Sequence, residues 1–204
     1  MIGSVERPVT VAVAGTHSTG KTTFIARLAH ELRRDKITVK HVADLGETAL
    51  SLGIPLLENH TWASTLWFIT KGISKEIEAW IHADVLLVDR PVADAIGYYR
   101  AALAYRGEKP EPDRMNMLES LARHHSNNYD LVFRTTLDLS IPLGDNKVRD
   151  SNTRFRNLAD LHVGSVLDDF DLAHELLPVD GHDDALAHAI RFIDGHLCGA
   201  VGTS

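Results

Sequence analysis

The stretch Gly15-Thr16-His17-Ser18-Thr19-Gly20-Lys21-Thr22 fills every fixed position of the pattern G-x-x-x-x-G-K-[ST]. Each fixed position answers a physical demand. The two glycines permit a backbone curl in which successive N–H groups point inward at an anion. Lys21 adds a cation that reaches β- and γ-phosphates, and the Thr22 hydroxyl is of the kind that ligates Mg²⁺. The pattern also needs a buried strand before it and a helix after it. Val9 to Ala14 (VTVAVA) is a short, β-branched run suited to a buried parallel strand. From Lys21 to Arg34, Phe24, Ile25, Leu28 and Leu32 recur at helical spacing, and the start of that helix turns its positive end to the same anion. Gly15, His17, Ser18, Thr19, Gly20, Lys21, Thr22 and Thr23 are therefore the expected contacts for the phosphates of ATP or GTP with Mg²⁺.

The remaining pattern repeats the strand-then-helix alternation. Ile37 to Val42, Val85 to Val88, Leu131 to Arg134 and Glu175 to Leu177 read as further strands. A long amphipathic helix is expected from about Thr61, because Trp62, Leu66, Ile69, Ile73, Ile77 and Trp80 share one face. Further helices are expected over Val92 to Tyr105, Arg114 to His124, Thr153 to Phe170 and Asp184 to His196. This order predicts a three-layer α/β fold with a mainly parallel sheet of about five strands. Residues 1–204 read as one domain, with a polar lid segment near 142–156.

Charged residues at strand ends carry the next inference. Asp89 closes the apolar run Val85-Leu86-Leu87-Val88, where an acid can hold the Mg²⁺ shell directly or through Thr22. Its neighbour is Arg90, whose planar fork suits phosphate oxygens and a transferring phosphoryl group. Asp44 lies just past the second strand with Glu47 three residues on, and either could accept a proton from an attacking hydroxyl. Asp44 is preferred. Arg149, Arg154 and Arg156, with Lys147, form a basic stretch that would close over phosphates, or else a solvated face balanced by Asp145, Asp150 and Asp160. On the long helix, Trp62 falls on the apolar stripe, whereas Trp67 and Phe68 fall partly off it and are the better candidates to stack on a substrate.

Composition excludes several alternatives. A formal charge of −7 disfavours nonspecific binding of nucleic acid by the whole surface, although the local arginine stretch leaves a nucleic-acid partner open. The single cysteine, Cys198, rules out an internal disulfide framework and suits a reducing, cytoplasmic setting. No apolar run approaches the roughly 20 residues of a membrane span. Twelve histidines are present, but none shows the spacing of a closed zinc site.

Together VAVAGTHSTGKTT, the strand ending in VDR and the late segment GDNKVRDSNTRFR resemble a known group. This is the P-loop AAA-type ATPase/kinase family that includes the ribosylnicotinamide kinase domain of bifunctional NAD-biosynthesis regulators, alongside nucleoside and nucleotide kinases. The resemblance spans nearly the whole chain, and Asn146 stands where the late segment usually has glycine. It implies Lys21 and Thr22 at phosphate and metal, Asp89 supporting the metal, Arg149 in the lid, and adenine over guanine in the donor.

These readings converge on an ATP- and Mg²⁺-dependent phosphotransferase with a small nucleoside- or nucleotide-like acceptor. Its expected catalytic residues are Lys21, Asp44, Asp89, Arg90, Arg149 and Arg154. Two other classes stay open: a regulatory ATPase or nucleotide switch without a small acceptor, and a kinase of nucleic-acid ends or modified bases. A guanine-specific switch is disfavoured, since the Asn146-Lys147-Val148-Arg149 run ends in Arg where Asp is needed. Nothing in the sequence fixes the oligomeric state, a homodimer included.

Overall fold

The computed structural model of the chain describes residues 6–17, 19–137, 152–178 and 180–201. Five strands, β1 (Val9–Ala14), β2 (Val39–Val42), β3 (Val85–Asp89), β4 (Leu131–Thr135) and β5 (Glu175–Leu177), form one sheet in the order β2-β3-β1-β4-β5. Every pairing is parallel, with Val11 beside Leu87 on one side and Leu131 on the other. Parallel strands need crossovers that cover both faces, which is why β1 and β3 are apolar almost throughout.

Seven helices supply that cover: α1 (Lys21–Arg34), α2 (Gly46–Ser51), α3 (Trp62–Trp80), α4 (Val92–Arg106), α5 (Pro112–Ser126), α6 (Thr153–Asp169) and α7 (His182–Val201). Side chains alternate along the strands, so Val11, Val13, Leu87 and Phe133 pack under α1 and α7. Ala12, Ala14, Leu86, Val88 and Val132 face the opposite layer of α3, α4, α5 and α6. This is the three-layer P-loop fold the alternation predicts.

The boundaries differ from the sequence reading where side chains override propensity. β2 starts at Val39, because Thr38 is held by Asp84: its N–H donates to Asp84 Oδ2 at 2.8 Å and its carbonyl accepts the Asp84 N–H at 2.9 Å. α2 has only six residues and too short a stripe to announce itself. α3 begins as expected, its Thr61 N-cap and Ser64 closing reciprocal hydrogen bonds. α5 starts earlier, with Pro at its first turn, a position where a missing N–H costs nothing.

α4 lies between α3, α5 and α6, and it is apolar around most of its circumference. Gly97 sets the closest approach. A Cβ there would fall 2.7 Å from Val163 Cγ2 and 2.8 Å from Val163 Cα on α6. Among the described residues, no helix is long and apolar enough to cross a membrane.

Candidate nucleotide and phosphoryl-transfer site

The loop between β1 and α1 curls through two left-handed glycines, Gly15 (φ +133°) and Gly20 (φ +86°). At Gly15 the space is also forbidden to side chains, since a Cβ would meet Thr135 Oγ1 at 2.1 Å. Thr135, at the end of β4, lies 2.6 Å from Thr19 Oγ1 and 3.2 Å from the Ala14 carbonyl, and so fixes the loop against the sheet.

The front of the loop is fastened to α4. Gly15 N–H donates to Asp94 Oδ2 at 3.0 Å, and His17 N–H donates to the Tyr98 hydroxyl at 3.1 Å. The rear of the loop is different. No side chain caps the start of α1, so its first N–H groups keep the unsatisfied character of a helix amino terminus. Lys21 is buried there, its ammonium donating to the Thr16 carbonyl and, at 3.3 Å, to Thr19 Oγ1. Burial, reinforced by the nearby Arg90 charge, lowers its pKa well below that of a free lysine. An open cavity of about 650 Å³ continues along α1 past Thr22, Thr23, Ala26, Arg27 and His30.

Thr22 Oγ1 donates to Asp89 Oδ2 at 2.7 Å, joining α1 to the end of β3. The second oxygen, Asp89 Oδ1, is buried and has no hydrogen-bond partner among the described residues. A buried carboxylate oxygen without a donor is costly, and a hydrated divalent cation is a group that would satisfy it. The residues present therefore fit Mg²⁺, and the open amides of α1 with Lys21 fit a polyphosphate.

Arg90 follows in a left-handed conformation, φ 75°. Its Nε donates to Asp44 Oδ2 at 2.6 Å, and its Nη1 donates to the Gly15 carbonyl at 3.1 Å and the Tyr98 hydroxyl at 2.9 Å. Burial works to raise the Asp44 pKa, but the Arg90 charge and the Gly46 N–H outweigh it, so the carboxyl sits below its usual range. Asp94 goes the other way: burial raises its pKa despite Arg90 and Lys21. Glu47, the other candidate base, is exposed in the first turn of α2.

Ser18, Lys147 and Arg149 lie outside the described residues, as does the expected lid as far as residue 151. Arg154 is exposed, its guanidinium 5.0 Å over the Tyr105 ring. Arg156 is 5% exposed, and its Nε and Nη2 have no hydrogen-bond partner.

Three residues of the site had no place in the sequence reading. Asp94 and Tyr98 lie one turn apart on the same face of α4, where Asp94 accepts from the loop and the Tyr98 hydroxyl meets both the loop and Arg90; their i, i+4 spacing was available to find them. His60 had no such signal. It is buried before α3, its ring stacked on Phe68 at 5.2 Å and 5.9 Å from Tyr98. Burial, then the charges of Arg90 and Arg106, push its pKa down to about 4, so it is neutral with Nδ1 unpartnered. Trp67 stands edge-on to Phe68 at 5.0 Å, while Trp62 packs on the core beneath Arg114.

A parallel sheet in this order, with a glycine-curled loop, a buried lysine and a threonine-linked acid at its carboxyl edge, defines a P-loop nucleotide-binding protein. The model of the family described as AAA domain matches residues 10–182, and the chain belongs to that family. Among curated proteins, none matches it by sequence.

Solved structures share the fold. A NadR protein in complex with NR aligns with a TM-score of 0.69 at 18% identity, covering 93% of this chain and 53% of that one. NadR in complex with NAD and AMP-PNP gives 0.64 at 17%, covering 92% and 50%. A deoxyadenosine kinase from M. mycoides gives 0.62 at 11%, covering 92% and 100%. The chain thus spans about half the length of the NadR structures it matches. The fold is thus that of the group the motifs resemble.

Proposed function

We propose that the protein transfers the γ-phosphoryl group of ATP, with Mg²⁺, to a hydroxyl or phosphate of a small nucleoside- or nucleotide-like acceptor. The observation that carries this reading is the Asp44–Arg90 pair, a carboxylate and a half-buried guanidinium 2.6 Å apart at the strand ends. It stands between the phosphate loop and the His60–Phe68–Tyr98 aromatic group. A protein that only hydrolyses nucleotide has no need of an aromatic group beside an ionised acid. ATP as donor agrees with the AMP-PNP held by the NadR neighbour.

In this reading the α1 amides and Lys21 bind the phosphates and align them in line with the acceptor. Arg90 neutralises charge on the transferring group, and the buried Arg156 guanidinium, whose Nε and Nη2 have no hydrogen-bond partner among the described residues, is a second cation for it. Asp44, ionised, accepts the hydrogen bond of the attacking hydroxyl and then its proton; positioning matters more here than basicity. His60, Phe68 and Trp67 exclude water and hold a flat acceptor ring. Thr22 and Asp89 would hold Mg²⁺, which would supply further neutralisation of phosphate charge when bound.

The test is ADP release with ATP–Mg²⁺ across a panel of nucleosides, nucleotides and related vitamins. One class of acceptor should raise it above the acceptor-free rate. Asp44→Asn should lower that stimulated rate by roughly 10²- to 10⁴-fold with little change in ATP affinity. A protein that binds ATP yet shows no acceptor-stimulated release across the panel would refute the proposal.

A further inference from the structure

A second buried polar group, behind the site, is used by no step above. Glu76 of α3 is 1% exposed, and His125 of α5 and Tyr129, just before β4, are buried with it. The Tyr129 hydroxyl donates to Glu76 Oε1 at 3.1 Å, and His125 Nε2 lies 2.9 Å from Glu76 Oε2. The Trp80 ring lies 4° from parallel to His125 and helps to close the group off from solvent. An interhelical contact needs only apolar side chains, so a buried carboxylate here is an expense with no packing reason.

The chain of hydrogen bonds ends at the site. Tyr129's hydroxyl oxygen also accepts the Val92 N–H at 3.2 Å. Val92 opens α4, where helical hydrogen bonding leaves the N–H groups without partners. Two residues earlier stands Arg90, whose φ of 75° is a strained choice for a side chain with a Cβ. Such a conformation costs on the order of 1–3 kcal/mol and persists only where its surroundings hold it. Arg90 is held in front by its own N–H, which donates to the Val13 carbonyl at 3.2 Å. Tyr129 holds the same turn from behind. Burial, and then the Glu76 charge, raise the Tyr129 pKa far above that of a free phenol, so the donated proton stays on its oxygen.

We propose that Tyr129, braced by Glu76 and His125, is a positioning residue for Arg90, locking the α3–α5 layer to the turn that aims this guanidinium at the transferring phosphoryl group. The proposal rests on the reading of Arg90 as a phosphate contact.

The test needs no acceptor. Affinities are measured for ADP–Mg²⁺ alone and with aluminium fluoride, which imitates the transferring group. Arg90→Ala should weaken the fluoride complex selectively. Tyr129→Phe, which removes one oxygen, should also weaken it selectively, by roughly 10- to 100-fold, the effect of a small misplacement. Its ADP–Mg²⁺ affinity should stay within about threefold of wild type, a readout of intact folding. In the double variant the loss should not exceed that of Arg90→Ala alone, because Tyr129 acts through Arg90. Glu76→Gln, whose amide oxygen still accepts from Tyr129, should restore most of the wild-type ratio that Glu76→Ala loses. Should Tyr129→Phe not fold, the Glu76 pair is read the same way. Selective loss in Arg90→Ala, with Tyr129→Phe either unchanged or fully additive, overturns the proposal. A fluoride complex indifferent to Arg90→Ala removes the phosphate-contact reading and the positioning role with it.

Discussion

The His60 environment predicts how stability responds to acid. Its pKa in the folded protein is about 4, against the ordinary 6.5, because the ring is buried and faces Arg90 and Arg106. The unfolded chain therefore binds a proton between these values and the folded chain does not. Where the unfolded state binds more protons, stability rises with pH, so this site is neutral in effect above about pH 7 and destabilising as pH falls. At pH 5 the difference amounts to about 1.5 pH-units of linkage, or about 2 kcal/mol. His60→Gln keeps a polar side chain but cannot titrate. Urea unfolding of both proteins at pH 8 and pH 5 isolates the term, since other groups cancel in the difference. The wild type should lose about 2 kcal/mol more than the variant on acidification. Equal losses, within about 0.5 kcal/mol, would show that the ring is hydrated or paired in the folded state, and the argument from its burial would fail.

Two further outcomes follow from Arg156 and Gly15. Arg156→Met removes a buried guanidinium with unpartnered nitrogens, so thermal unfolding should show a gain of roughly 1–3 kcal/mol, while acceptor-dependent turnover falls by roughly 10²-fold or more. A loss of stability instead would mean that the guanidinium has an internal partner. Gly15→Ala should abolish ATP binding in calorimetry, because its Cβ would collide with Thr135. Pairing it with Thr135→Ala removes the Oγ1 contact but not the Thr135 carbonyl 2.8 Å away, so binding should not be rescued.

The fold was legible because its signals are local. β1, the glycine loop and α1 each fix their own conformation within a few residues, and the apolar runs at Val85 and Leu131 are short and bounded as buried strands are. The strand-end residues Asp44, Asp89 and Arg90 were equally legible, since in a parallel sheet such ends converge. What the sequence withheld was tertiary. Nothing in its own neighbourhood marks His60 for burial against Phe68, and nothing in HHSNNYD shows that His125 and Tyr129 meet Glu76 roughly fifty positions earlier. Asp94 carries only a partial signal: an acid in the first turn of a helix is ordinary complement to the helix dipole, and its bond to Gly15 is visible only in the fold.

The contact at Gly97 has a bearing on how such a protein can diversify. With hydrogen as the only tolerated substituent there, the spacing of α4 and α6 is set by main-chain atoms and cannot be retuned by exchanging side chains. In this chain the helices that carry Tyr98 and Arg156 thus keep a fixed separation. Any change in the room between the loop and its surroundings would have to come from the other flank, among the residues around His60 and the beginning of α3.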